Sequence, residues 1–200
     1  MRDLTQGSPA KQILFFTIPL VIGNLFQQLY NFSDTVIVGQ TLGVKSLAAV
    51  GATGSIMFLI LGFVQGFTAG LSIITAQRYG ARDIAGVRKS MASTLIVSAL
   101  ITVIVTILSL LAVYPLLKIM QTPAEIFNQA FIFIAIILGG IFATMGYNVT
   151  ANSLRAIGDS RSPLVYLIVG MIINIILELW FIIGLNYGVA GAALATVIAQ

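Results

Sequence analysis

Apolar residues fall in five long blocks, separated by short clusters of Gly, Pro, Ser, Asp and basic residues. A membrane-spanning helix needs about 20 mainly apolar residues. The blocks run from about 13 to 39, 47 to 77, 91 to 117, 126 to 152 and 164 to 184, and each meets that length. A sixth begins near Val189 and is still apolar at Gln200. Its dozen residues reach only about 18 Å, too short to cross. The pattern predicts an all-α, polytopic membrane helix bundle occupying residues 1–200 as one transmembrane unit. It has five complete spans plus the start of a sixth (189–200), and the length argument reads the sequence as part of a longer chain.

The joints carry turn and cap chemistry: TLGVKS, QRYGARDIAGVRKS, KIMQTPAE, IGDSRSP and NYGVAG. Pro123 and Pro163 stand near the starts of the fourth and fifth blocks, where a missing backbone donor is harmless. Pro19 lies inside the first block and deprives the Phe15 carbonyl of its intrahelical donor, which predicts a bend or hinge.

Composition sharpens this picture. Hydrophobic residues are 58% of the chain and charged residues 8%, and the mean hydropathy is +1.05. A water-soluble domain could not cover so much apolar surface with so few charges. The net charge of +4 does not imply nucleic acid, because the basic residues are scattered singly and form no basic face along the sequence. They follow membrane topology instead. Arg2, Lys11, Arg78, Arg82, Arg88, Lys89, Arg155 and Arg161 fall on one side, and only Lys45 and Lys118 on the other. That asymmetry predicts a cytoplasmic N-terminus in an inner-membrane, multi-pass protein. The chain has no Cys and no His, so thiolate chemistry, disulfides and the commonest metal ligand are absent. No enzyme activity is expected, and no cofactor.

Two carboxylates stand inside the apolar blocks, Asp34 in the first and Glu178 in the fifth. Burying an ionised carboxylate in hydrocarbon costs about 2.5–3.5 kcal/mol on the mildest scale, so such residues normally face a protein interior or a water path and handle ions or protons. Asn24, Gln27, Gln28, Asn31 and Asp34 form one polar stripe, an arc of about 120° at 100° per residue, expected to face the lobe interior. Asn174 and Glu178 are four apart and share a face. Helix rise puts Asp34, Glu178 and Thr196 at depths compatible with the outer half of the bilayer. Two carboxylates, an amide and a hydroxyl offer hard oxygen ligands, suited to Na⁺ or a shared proton. Asn148 and Asn152 lie near the opposite face, so they are excluded from this site. Trp180 and Tyr187 suit an outer aromatic belt.

The segments FSDTVIVGQTLGVKSLAAVG, AGLSIITAQRYGARD, SLRAIGDSRSPL and NIILELWFIIGLNYGVAGAALATVIAQ together resemble the multidrug and toxic compound extrusion (MATE) family, over nearly the whole chain. The resemblance implies a fold of twelve helices in two six-helix lobes, with this sequence as the N-terminal lobe cut within its sixth helix. It carries the family's cation site onto Asp34, Asn174, Glu178 and Thr196, and the bending proline onto Pro19. The fifth-block acid departs from the pattern, being Glu178 where relatives often have Asp, which bears more on Na⁺ geometry than on proton coupling.

The expectation is therefore half of a secondary antiporter that exports amphipathic or cationic drugs in exchange for H⁺ or Na⁺. Its partners would be drug-like substrates, the lipid bilayer and the missing C-terminal lobe. Two rivals stay open here. A lipid-linked precursor flippase of the same superfamily would favour Arg and Lys deep in the cavity, and a non-transporting scaffold would have no use for Asp34 and Glu178.

Overall fold

The computed structural model describes the backbone of residues 9–200, with side chains from Thr17 onward and at Leu14. Arg2 lies outside the described residues, as does the Lys11 side chain. Among the described residues the chain forms α-helices and no strand: α1 (Pro9–Leu42), α2 (Val44–Gly80), α3 (Ile84–Ile119), α4 (Ala124–Gly139), α5 (Ile141–Ala156), α6 (Arg161–Leu179) and α7 (Gly188–Ala199). A π-helical turn, Trp180–Gly184, continues α6.

Large apolar side chains face outward as well as inward, which a water-soluble bundle could not sustain, and the interior also takes small polar side chains. Phe58, Leu111 and Ile119 are more than 70% exposed, whereas Thr53, Thr68, Thr75, Thr94 and Ser98 are buried. Lipid is as apolar as leucine, so the interior selects small side chains that let helices approach. Two of the buried threonine hydroxyls find backbone partners, Thr53 Oγ1 donating to the Val50 carbonyl at 2.7 Å and Thr68 Oγ1 to that of Val64 at 3.0 Å, and Thr75 Oγ1 meets the Ser90 hydroxyl at 2.8 Å. One apolar core joins α2, α3, α4 and α5 through Ile56, Val64, Val113, Ile134, Leu138 and Met145. A second joins α1, α4 and α7 through Val38, Phe133, Ile137, Ala192 and Ala193. This is a polytopic membrane helix bundle.

Three of the described helical segments are long and apolar enough to cross a membrane, Val44–Gly80, Ile84–Ile119 and Arg161–Gly184, and a fourth if α4 and α5 are taken as one bent span. The 34-residue α1 is not among them, and its apolar run is interrupted by Asn24, Gln27, Gln28, Asn31 and Asp34. It runs without a break through Pro19.

Two readings of the joints need correction. QRYGARDIAGVRKS is mostly helix rather than loop, with only residues 81–83 between α2 and α3. At 37 and 36 residues these helices extend about 55 Å, against about 30 Å of hydrocarbon, so their polar ends project into water without unwinding. Arg82 takes a positive φ of 59° to turn the chain, and Asp83 caps α3 by accepting from the Gly86 N–H at 2.8 Å.

The second correction is the fourth block, expected as one span over 126–152. It divides at Gly140 into α4 and α5, bent by 46°. The Gly140 N–H still bonds the Ile136 and Ile137 carbonyls, and the Ala143 and Thr144 N–H groups then turn to the Gly140 carbonyl, which opens the new helix. The Val197 side chain of α7 occupies the space that a Cβ on Gly140 would need.

The start of α6 is fixed by Asp159, just before the helix in the polar joint IGDSRSP. Its carboxylate accepts from the backbone N–H of Arg161 and Ser162, both at 3.1 Å, and from the Ser162 hydroxyl at 2.6 Å. Those donors, the Ser162 hydroxyl foremost, hold its pKa below the usual carboxylate value. A depressed carboxylate pKa stabilises the fold above the unfolded value near 4, and the contribution disappears as pH falls through the folded value. Asp159→Ala should lower stability by about 0.5–1 kcal/mol near pH 7, the lower part of the N-cap range because the site is partly solvated. In a pH series of thermal unfolding on the full-length protein, the gap between variant and wild type should close in acid. A gap that persists unchanged at low pH would remove the charge argument.

Candidate functional site

Asp34 lies on α1 and Glu178 on α6, and these helices pack against each other with α7 touching both. The fold brings the two carboxyl groups near enough across the α1–α6 contact for their charges to act on each other. Glu178 is 0% exposed and Asn174, one turn before it, 1%. On the facing surface of α7, Thr196 Oγ1 accepts from Asn174 Nδ2 at 3.4 Å and donates to the Ala192 carbonyl at 3.0 Å. Asp34, Asn174, Glu178 and Thr196 are therefore assembled in one place by three helices.

α7 comes this close because of what it lacks. Gly191, Ala192 and Ala195 are buried, and a Cβ on Gly191 would stand 3.0 Å from that of Phe181. The carbonyl of Ala199 likewise lies where a side chain on Gly170 would be. Small residues on both helices shorten the distance over which Asn174 must reach Thr196.

Tyr30 completes the cluster, and it escaped the sequence reading. It stands one turn before Asp34 on α1, and its hydroxyl is buried without a hydrogen-bond partner. The i, i+4 spacing to Asp34 was an available signal, but a tyrosine in an apolar block reads equally well as lipid-facing.

The cluster is rich in acceptors and poor in donors. Tyr30 Oη, Asp34 Oδ1, Asn174 Oδ1 and both carboxylate oxygens of Glu178 are buried without a hydrogen-bond partner. An ionised carboxylate only accepts, and two of them side by side in a dry interior repel unless a positive charge stands between them. Oxygen-only ligation suits a proton or a hard cation.

The polar stripe does not behave as a unit. Asp34 and Tyr30 turn inward, but Asn24, Gln27, Gln28 and Asn31 are exposed, which corrects the expectation that the whole stripe faces the lobe interior. At 100° per residue Asn24, Gln28 and Asn31 stand about 60–120° around α1 from Asp34, away from α6 and α7. Gln27 shares Asp34's face but lies two turns toward the N-terminus, where it is exposed. Asn152 and Asn148 are committed elsewhere. The first donates to Thr68 at 3.1 Å and the second to the Thr144 carbonyl at 2.8 Å, so both serve to fix helices.

Similarity to known proteins agrees with this fold. The chain is 30% identical over 198 residues to a probable multidrug resistance protein, YpnP, of Bacillus subtilis, covering 99% of this chain and 44% of that protein. It is 31% identical to DNA damage-inducible protein F of Escherichia coli, with coverage of 96% and 42%. A crystal structure of MATE in the bent conformation superposes with a TM-score of 0.90 at 35% identity, over 98% of this chain and 44% of that one. A MOP superfamily transporter from Pyrococcus furiosus matches equally well, with a TM-score of 0.90, 35% identity and coverage of 98% and 43%. The chain thus spans less than half the length of the relatives it matches. Since the MatE family model matches residues 19–180, most of the sequence, and the fold is that of solved MATE structures, this chain is a multi-pass membrane protein of the MatE family.

Proposed function

We propose that this chain is the N-terminal lobe of a two-lobe, twelve-helix antiporter in a prokaryotic inner membrane, exporting amphipathic or cationic drugs in exchange for H⁺ or Na⁺. The observation that carries this reading is the convergence of unpartnered buried oxygens from Tyr30, Asp34, Asn174 and Glu178 inside a membrane bundle. Asp34 and Glu178 hold the coupling cation between α1 and α6, while Asn174 and Thr196 complete its shell from α6 and α7. When the cation leaves, the two acids repel across the α1–α6 contact. Pro19 then gives α1 a place to bend, because the Phe15 carbonyl is already without its donor. The exposed Asn24, Gln27, Gln28 and Asn31 would line the water-filled path shared with the C-terminal lobe. The drive is adequate, since one charge crossing 100 mV supplies about 2.3 kcal/mol before any concentration gradient.

The test uses the full-length protein. Expressed in a drug-sensitive host, it should raise tolerance to cationic dyes. Reconstituted in proteoliposomes, it should move dye against its gradient when ΔpH or ΔNa⁺ is imposed, and stop when the gradient is collapsed. Gradient-independent behaviour, with headgroup-labelled lipid flipped instead of dye, would favour the flippase.

The proposed orientation places the N-terminus, the α2–α3 corner and residues 155–162 in the cytoplasm. These 200 residues contain no cysteine, so a cysteine introduced among them is the one thiol of this lobe, and the unsubstituted protein serves as the blank. Arg82, exposed at the corner, should resist a membrane-impermeant thiol reagent in intact cells when replaced by Cys. Val44, 81% exposed at the start of α2, should react when replaced in the same way. The opposite pattern would invert the topology.

A further inference from the structure

We infer that the α2–α3 corner binds one anionic phospholipid of the cytoplasmic leaflet. Four basic residues fall within 78–89, and folding places two of them, Arg78 and Lys89, in the lining of one cleft of about 530 Å³ between the end of α2 and the start of α3. Its walls include Leu71, Ile74 and Val97, with Ser93 on the same side as Lys89. Arg82 and Arg88 are exposed close by in sequence, on the same short corner.

The charge balance there is lopsided. Asp83 is the one acid between Arg78 and Lys89 in sequence, and both its oxygens are committed. Oδ1 accepts from the Gly86 N–H at 2.8 Å, and Oδ2 meets Arg78 Nη1 at 3.2 Å. Lys89 has no acidic partner among the described residues. The cleft therefore offers one cation without an acidic partner, Lys89, and a second, Arg78, shared with Asp83, beside an apolar wall.

That division matches a phospholipid and nothing smaller. A free phosphate would use the cations and leave Leu71, Ile74 and Val97 unaccounted for, whereas a neutral lipid would use the wall alone. Ile73, Leu95 and Ile96 are more than half exposed, so the surrounding face is lipid-contacting and an acyl chain can enter from the bilayer. Basic clusters just cytoplasmic of spanning helices attract anionic headgroups, and the orientation proposed above is the one assumption shared with the functional reading. The inference does not depend on drug export.

Native mass spectrometry of the full-length protein, released from detergent with phosphatidylglycerol or phosphatidylcholine present, reads the result directly. One phosphatidylglycerol should be retained where phosphatidylcholine is not, and inorganic phosphate should fail to displace it. Arg78→Gln and Lys89→Gln should each weaken retention about fivefold, the scale of one basic residue at an anionic surface. Ser93→Trp should block the cleft without touching a charge and lose the lipid as well, while Lys118→Gln near the far end of α3 should change nothing. Equal retention of both lipids, displacement by inorganic phosphate, or unchanged retention in Lys89→Gln and Ser93→Trp would each overturn the assignment.

Discussion

Asp34→Asn in the full-length protein is expected to abolish gradient-driven efflux while leaving insertion and folding intact. The substitution removes a charge and barely changes volume, and the new side-chain amide would supply a donor to a cluster that has too few. Glu178→Gln should behave the same way, for the same reason. The size of the effect follows from energetics. If one coupling cation supplies about 2.3 kcal/mol per 100 mV, losing it should lower the steady-state dye gradient by about 50-fold at that potential. Glu178→Asp is the informative conservative variant. It shortens the side chain by one methylene, so retained export would point to a proton, which tolerates the displacement better than a Na⁺ coordination shell does. The measurement is dye accumulation in proteoliposomes under imposed ΔpH or ΔNa⁺, with thermal unfolding of each variant as a control. If Asp34→Asn and Glu178→Gln both export at the wild-type rate with the same gradient dependence, the carboxylates are structural and the coupling mechanism fails.

Much of this protein is legible before folding because lipid imposes a simple rule: a long apolar block must be a helix. The membrane bundle, the polar joint before α6 and the placing of Asn174 and Glu178 on one face all follow from spacing and composition. What escaped has a physical cause in each case. The polar run 78–89 marks where the chain meets water, not where the helix ends, and α2 and α3 simply continue through it. Depth arguments put Asp34, Glu178 and Thr196 at similar levels, but levels do not say which helices touch. Only packing of α1, α6 and α7 turns a shared depth into a shared site. The exposure of Asn24, Gln27, Gln28 and Asn31 has the same origin, since a helix wheel gives angular position without saying where the neighbours stand. The cleft was hidden for the converse reason: its basic residues stand in one joint, but its apolar walls, Leu71 and Ile74 on α2 and Val97 on α3, meet them only when the turn at 81–83 folds the two helices together.

The break at Gly140 is the clearest instance, and it makes a prediction that distinguishes two adjacent glycines. Gly139 and Gly140 look equivalent in sequence, both embedded in an apolar run. In the fold a Cβ at 139 meets nothing within 4 Å, while one at 140 would stand 2.6 Å from Val197 Cγ1 and closer still to Cγ2. Gly139→Ala should therefore be neutral or stabilise by up to about 1 kcal/mol through helix propensity. Gly140→Ala should destabilise by about 1–3 kcal/mol as overpacking forces α7 away from the bend. Val197→Ala removes the offending methyls, so Gly140→Ala with Val197→Ala should recover much of the loss, a coupling expected only of residues in contact. The functional readout should follow the same order, because Val197 adjoins Thr196. Displacing α7 lengthens an Asn174–Thr196 contact that is already 3.4 Å, so Gly140→Ala should also depress gradient-driven export, and the second substitution should restore it. Thermal unfolding and dye efflux, measured on wild type, both glycine variants and the double variant, decide the matter. Stability of Gly140→Ala equal to that of Gly139→Ala, or no rescue by Val197→Ala, would mean that α7 is not seated in the bend, and that the fourth block owes its break to something other than this contact.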